Sequence, residues 1–277
     1  MSLNFNRYVS QQRCEAFCDS QDNLEKWQSS KRKFENLTLK PTQSFIYSND
    51  LRLDAVWLYK KGIHSLFNAI KSIEEKKMSY SWASVVLYYS VHYFLRASLA
   101  SKGIGLIRNG GLYFLNDAIG SSPQKKRGRN YQTTHGGVIY YCIDKYAGSD
   151  LLLSNDIDGH KSYIWMKEVR EIMNYRQNQF DEPRIPEIWI EIDSRINQES
   201  FDGLIDSYAE DDGHLFCFQQ DHAILALPIK KAFLTKGELN FNGIELNLSA
   251  DEITYFYERI TNKNTAIRKT KLEPLIT

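Results

Sequence analysis

The chain has 277 residues, 42% of them apolar, enough to bury a substantial core as one large domain or two small ones. Thirty-five basic against 34 acidic side chains leave a formal charge of +1, which excludes a global field drawing the chain toward nucleic acid or an anionic membrane. Any polyanion site must be local, and the 13% aromatic content excludes a disordered chain.

Residues 1 to 48 read as a polar arm, with one or two short helices around 8 to 29 and "SSKRKFENLTLKPTQS" as a linker. The start holds no apolar run long enough for a secretory signal, so a cytoplasmic location is expected. Cys14 and Cys18 stand four residues apart, Cys142 and Cys217 are remote, and no Cys-x-x-Cys pair occurs, so all four read as reduced. From Asn49, the apolar positions Val56, Tyr59, Ile63, Leu66, Phe67, Ile70 and Ile73 predict an amphipathic helix of roughly seven turns.

Ser79 or Ser81 can cap a second helix, with Trp82, Val86, Tyr89, Tyr93 and Ala97 on one face and Val85, Tyr88, His92, Leu95 and Leu99 on another. A helix apolar on two faces belongs inside a bundle. Its stretch 82 to 100 has about the length of a membrane span. His92, Arg96 and four serines in it point instead to a buried helix, and no membrane association is expected. The helix stops at "SKGIG", where Gly103 can take the left-handed conformation.

"GGLYFLNDAIGSSPQKKRGRNYQ" then reads as a loop-rich crossover carrying four basic residues. Helices are predicted to resume after "TTHGG" and in "YIWMKEVREIMNYRQNQF", where Ile164, Val169, Ile172, Met173 and Phe180 are the expected inward positions. Beyond Pro183 shorter elements follow. "ESFDGLIDSYAEDD" predicts a helix with an acidic outer face, and "HLFCFQQDHAILALPI" two short strands. In "ELNFNGIELNL", Asn242 and Gly243 suit a two-residue hairpin turn, and "SADE" offers a capping box of Ser249 and Glu252 for a last helix. The expected fold is mainly α: an arm (1 to 48), a helical bundle (49 to 185) and a small C-terminal α+β appendage (186 to 277).

Three stretches carry a family resemblance. "YYSVHYFLRASLASKGI" resembles the second helix of the HEPN superfamily, "THGGVIYY" the opening of the next helix in one of its branches, and "REIMNYR" part of its last helix. Order and spacing agree over roughly residues 50 to 182. The resemblance implies a HEPN-like helical bundle that binds or acts on RNA, in some members as a metal-independent endoribonuclease of toxin or antiphage defence systems, and as a dimer. It equally admits a catalytically inactive scaffold or adaptor that docks a protein partner. RNA and a protein partner or second copy are therefore the expected partners.

Such a nuclease uses an arginine to stabilise charge on the phosphate and a histidine or ordered water to move the 2′-hydroxyl proton. The family's arginine on its last helix corresponds to Arg170, but Asn174 and Tyr175 stand where its histidine would follow. Arg129 and His135 match the spelling, with Asn130 directly after the arginine, yet they precede a helix in a glycine-rich stretch. They read either as a catalytic pair or as a solvated loop arginine and a helix-start histidine. His92 reads as a core histidine or a catalytic one. Lys125, Lys126, Arg127 and Tyr131 have the makeup of a phosphate-tracking loop with one stacking ring, or of a solvated charge run.

No cofactor is expected. Neither a His-x-x-x-His nor a Cys-x-x-Cys spacing favours a metal, and "GIGLIRNGG" lacks the lysine of a phosphate-cradling loop, so nucleotide hydrolysis is not expected.

Overall fold

The computed structural model describes residues 8–21, 23–176, 185–198, 200–261 and 269–277, and the chain is mainly helical. It divides into two units, each assembled from three stretches: Met1–Leu58, Leu95–Tyr141 and Glu238–Glu245 form the first, and Tyr59–Phe94, Cys142–Gly237 and Leu246–Thr277 the second.

The first unit opens with α1 (Val9–Phe17), α2 (Leu24–Ser29) and α3 (Lys31–Glu35), so the expected linker contains a helix. α4 (Pro41–Glu74) begins eight residues before Asn49, because Pro41 sits at the first helical position, where its fixed φ and missing N–H cost nothing. α1 has no side-chain cap of its own. Asp54 of α4 supplies one, accepting from the N–H groups of Val9 (2.8 Å) and Ser10 (3.0 Å) and from the Ser10 hydroxyl (2.5 Å). α5 (Tyr80–Ser101) ends at Gly103, whose φ of 74° is the expected left-handed conformation.

The expected loop-rich crossover is instead a three-stranded antiparallel sheet in the order β1 (Ile104–Arg108), β2 (Leu112–Asn116), β3 (Gln124–Lys126). The reason is burial: Leu112, Tyr113, Phe114 and Leu115 are all in the core, and pairing recruits the polar β3 beside them. Phe34 stands edge-on to Trp27 (5.1 Å) and Tyr113 (5.3 Å), joining the arm to the sheet. α6 (Thr134–Tyr146) starts where "TTHGG" predicts, with Thr133 Oγ1 accepting from Gly136 N–H (3.1 Å). Both glycines are packing residues. A Cβ on Gly136 would lie 2.7 Å from the Asn130 carbonyl oxygen, and one on Gly137 2.0 Å from Leu112 Cδ2.

In the second unit, α4 contributes Ile63, Leu66, Phe67, Ile70 and Ile73 to the core as predicted, and Gly62 admits Phe94, whose ring would lie 2.4 Å from a Cβ there. Along α5 the Trp82 face departs from expectation: Trp82 is 53% exposed, while Val85, Leu87, Tyr88, Val91 and His92 are buried. A short hairpin, β4 (Asp156–Ile157) and β5 (His160–Lys161), precedes α7 (Ser162–Glu171) and a π-helical turn, Ile172–Arg176. α7 buries Tyr163, Trp165, Met166 and Val169, whereas Ile172 is exposed. The expected inward face is thus rotated, and Phe180 lies outside the described residues. α8 (Ile190–Asn197) and α9 (Phe201–Glu210) follow; on the face of α9 expected to be acidic and outward, Glu210 is exposed, whereas Asp206 is half-buried and Asp202 is turned to the enclosed Lys269.

The α+β expectation for the last third fails. Residues 215–218 form a 3-10 turn and 220–241 a single helix, α10 (Gln220–Phe241). Beyond an isolated bridge at Thr261, no strand occurs among the described residues of this region. Ala223, Ile224, Leu225, Ala226 and Leu227 are all fully buried, and a helix enclosed on every side shows the same unbroken apolar run as a buried strand. Asn242 and Gly243 make no hairpin either. Gly243, at φ 62°, ends α10: its N–H donates to Asn240 O (3.0 Å) and that of Ile244 to Leu239 O (2.9 Å), the Schellman pattern. α11 (Ala250–Ile260) carries the predicted capping box of Ser249 and Glu252. It is held to α4 by Lys60 on Glu252 (2.9 Å), by Arg259 on Asn68 (3.1 Å), and by a 2.7 Å bond between the Tyr255 hydroxyl and His64 Nε2.

Among the described residues no helix is long and apolar enough to cross a membrane, and no group of three or more His, Cys, Asp or Glu side chains is placed to hold a metal.

Two predictions follow from this packing. Gly136→Ala gains at most about 1 kcal/mol of helix propensity but drives a Cβ into a backbone oxygen that cannot swing away, at about 1–3 kcal/mol, so thermal unfolding should show a net loss. The second concerns pH. Burial, and secondly Arg259, lower the His64 pKa from its ordinary 6.5, so the unfolded chain takes up that proton more readily than the folded one. The His64 contribution is therefore complete above pH 6.5 and is lost as pH falls through the lowered folded value. Lys60, Lys61, Asp251 and Glu252 line the same groove and share the field. The melting-temperature gap between wild type and His64→Gln should shrink from pH 7.5 to 5, and a constant gap would contradict this.

Candidate functional site

In the first unit, β1 and β2 are joined by Asn109, Gly110 and Gly111. This turn is clamped to α2 in both directions: Trp27 Nε1 donates to Arg108 O (2.8 Å), and Asn109 Nδ2 donates to Trp27 O (2.9 Å). Gly110 takes φ 58°, which a side chain would strain. The bare turn also leaves room for two lysines. Lys31 Nζ lies 3.7 Å from the position a Cβ would take on Gly110, and Lys125 Cε 3.1 Å from that on Gly111.

The sheet register brings further cations alongside. Arg108 pairs with Leu112, and Leu112 with Lys126, so one cross-strand row reads Arg, Leu, Lys. After β3, Gly128 at φ 102° turns the chain into the single 3-10 turn Arg129–Tyr131. The result is a cavity of about 730 Å³ lined by five cationic side chains, Arg108, Lys125, Lys126, Arg127 and Arg129, together with Trp27, Asn109, Tyr131 and Gln132. No carboxylate lines it. Lys126 Nζ lies 5.8 Å from the Tyr131 ring centre and 5.4 Å from that of Tyr141.

The nearest acid shown at this cluster is Glu35, whose Oε1 is 3.8 Å from Lys125 Nζ. Its carboxyl is held below the usual range, chiefly by a 2.5 Å hydrogen bond from the Tyr113 hydroxyl and further by Lys31, Lys125 and Arg127. Burial, then this same bond, raises the Tyr113 pKa. Glu35 thus stays ionised and offsets part of the field. An exposed pair of this kind holds its lysine weakly, so Lys125 can exchange Glu35 for a stronger anion.

The residues singled out in the sequence divide between the units. Arg129 lines the cavity with Lys125, Lys126, Arg127 and Tyr131. Lys125 and Lys126 lie in a strand, which corrects the expectation of a basic loop throughout. His135 is the second residue of α6, partly buried and not a lining residue, although Arg108 Nη1 donates to the adjacent Thr134 hydroxyl (3.1 Å).

Arg170, Tyr175 and His92 belong to the second unit. The Arg170 guanidinium lies 5.6 Å and 5.8 Å from the ring centres of Tyr88 and Tyr89, and its Nη2 donates to the Tyr89 hydroxyl (3.3 Å). His92 is 3% exposed, with its ring centre 6.3 Å from that of Tyr88, and Tyr175 falls in the π-helical turn. On α7, Lys167 lies 2.8 Å from Glu171 and 3.5 Å from Glu168. Arg96 itself, in the first unit, lies over the Tyr8 ring at 4.0 Å.

Trp27, Lys31, Arg108 and Asn109 were not anticipated at this site. "GIGLIRNGG" was the available signal: it lacks a lysine of its own but becomes β1 and the turn bordering the cavity, with lysines supplied by α3 and β3. Comparison with protein-family models, curated proteins and solved structures found no match.

Glu35→Gln removes the one carboxylate shown at this cluster while keeping an acceptor for Tyr113. The variant should elute from a phosphate-bearing cation exchanger at higher salt than wild type, and unchanged elution would show that Glu35 does not temper the field.

Proposed function

We propose that this protein binds single-stranded RNA through the cationic cavity of its first unit. The supporting observation is the convergence of five cations and the ring of Tyr131 on one carboxylate-free concavity, in a chain whose overall charge is only +1. Lysine and arginine meet phosphates, and aromatic faces stack bases without regard to sequence. The HEPN resemblance points to the same ligand and to a prokaryotic defence or toxin setting.

Cleavage is the second reading. Arg129 lines the cavity, and the Arg108 bond to Thr134 ties it to the α6 turn that carries His135. On this reading Arg129 stabilises the phosphate and His135 takes the 2′-hydroxyl proton. A partner-docking role draws support from Phe45, Leu53 and Trp57, which are exposed on α4 of the first unit and offer a surface for a protein partner or a second copy.

Fluorescence polarisation with a labelled single-stranded RNA tests the binding. Affinity should fall steeply with salt. Replacing Lys125, Lys126 and Arg127 by glutamine should lower it at least tenfold and flatten the log–log salt slope by about 2, at roughly 0.7 per lost phosphate contact on a single strand. Salt-insensitive binding, or equal binding by the variant, would reject the cavity as the site. The same RNA incubated with EDTA reports cleavage, which Arg129→Ala and His135→Ala should each abolish.

A further inference from the structure

We infer that the cavity takes a nucleoside 5′-polyphosphate, either free or as the triphosphorylated 5′ end of an RNA strand. The inference deepens the RNA reading and rests on it for the second of these sources. The argument is one of charge density. Five cationic side chains line the cavity, and Lys31 reaches the turn at its edge. Among the described residues no salt bridge engages Arg108, Lys126, Arg127 or Arg129, and Glu35, which lies beside Lys125 and in the field of Lys31 and Arg127, is the carboxylate shown close by.

A volume of about 730 Å³ lies in the range of pockets that enclose one small ligand, about 300–1,000 Å³. The interior of an RNA strand carries one charge per nucleotide, so such a volume would receive too few phosphates to neutralise this cluster. The uncompensated cations would go on repelling one another. A 5′-triphosphate concentrates its negative groups on one nucleoside, which matches the cluster in both charge and extent.

The side-chain types fit as well. Arg108, Arg127 and Arg129 present forked donors for bidentate phosphate contacts, and Lys125 and Lys126 act as point charges. Gly110 and Gly111 keep the turn bare, so Lys31 and Lys125 can lie over it, while Tyr131 offers a ring face to the base. The inference is one of binding and involves no bond cleavage.

The test uses the full chain with ATP, AMP and one short RNA sequence carrying a 5′-triphosphate, 5′-monophosphate or 5′-hydroxyl group. The triphosphorylated RNA should bind at least tenfold more tightly than the hydroxyl form, ATP should compete for it, and AMP should compete far less. Arg127→Gln and Arg129→Gln, both at exposed positions, should remove most of this preference without changing the melting temperature. A preference among the RNAs without competition by ATP assigns the site to strand ends. Binding of ATP without binding of any RNA assigns it to free nucleotides and sinks the RNA reading. Equal affinity for the three RNAs with no competition by ATP, or a preference that survives both substitutions, overturns the inference and leaves RNA binding intact. Absence of binding by every ligand removes both.

Discussion

Leu112 fills the space that a side chain at residue 137 would need, and the cationic site depends on that fit. Its Cδ2 stands 2.0 Å from where a Cβ on Gly137 would lie, so the first turn of α6 packs directly on the leucine side chain of β2. Leu112 is also the middle member of the row that sets Arg108 and Lys126 on either side of it. The burial of one leucine therefore positions two cations from different strands and brings the helix start beside them. Like charges crowded in this way repel, and the apolar packing of Leu112, Tyr113, Phe114 and Leu115 on the same strand is what offsets that cost.

Much of the helical architecture was legible because its signals are local. The capping box of α11 lies within four residues, the stop at Gly103 needs one glycine, and α4 repeats its apolar spacing over many turns. What escaped depends on surroundings. β3 is Gln124, Lys125 and Lys126, with no apolar alternation, and owes its conformation to pairing with β2. The stretch 223–232 of α10 reads like a strand because it is buried without interruption, and Asn-Gly supplies a positive φ equally well to a hairpin turn or a helix end. The basic run from Lys125 to Arg129 could be seen as a charge cluster, whereas Trp27, Lys31 and Arg108 reach it only through tertiary structure.

Several cations of the second unit occupy an environment that contrasts with the cavity. Arg170 lies against Tyr88 and Tyr89, where the ring faces and a phenol oxygen stabilise its charge. Lys269 is almost fully enclosed between Glu74 and Asp202, and Lys231 is nearly as deep beside Asp150. These lysines have internal counter-ions and are shielded from a large anion. Those of the cavity face solvent with little internal compensation, which is the arrangement a polyanion site requires.

Four helices, α4, α5, α6 and α10, begin in one unit and end in the other. The boundary therefore falls within hydrogen-bonded backbone, and neither unit corresponds to a continuous piece of gene. A recombination event that transferred one stretch would deliver only part of a unit and, at every boundary but that before Leu246, an interrupted helix.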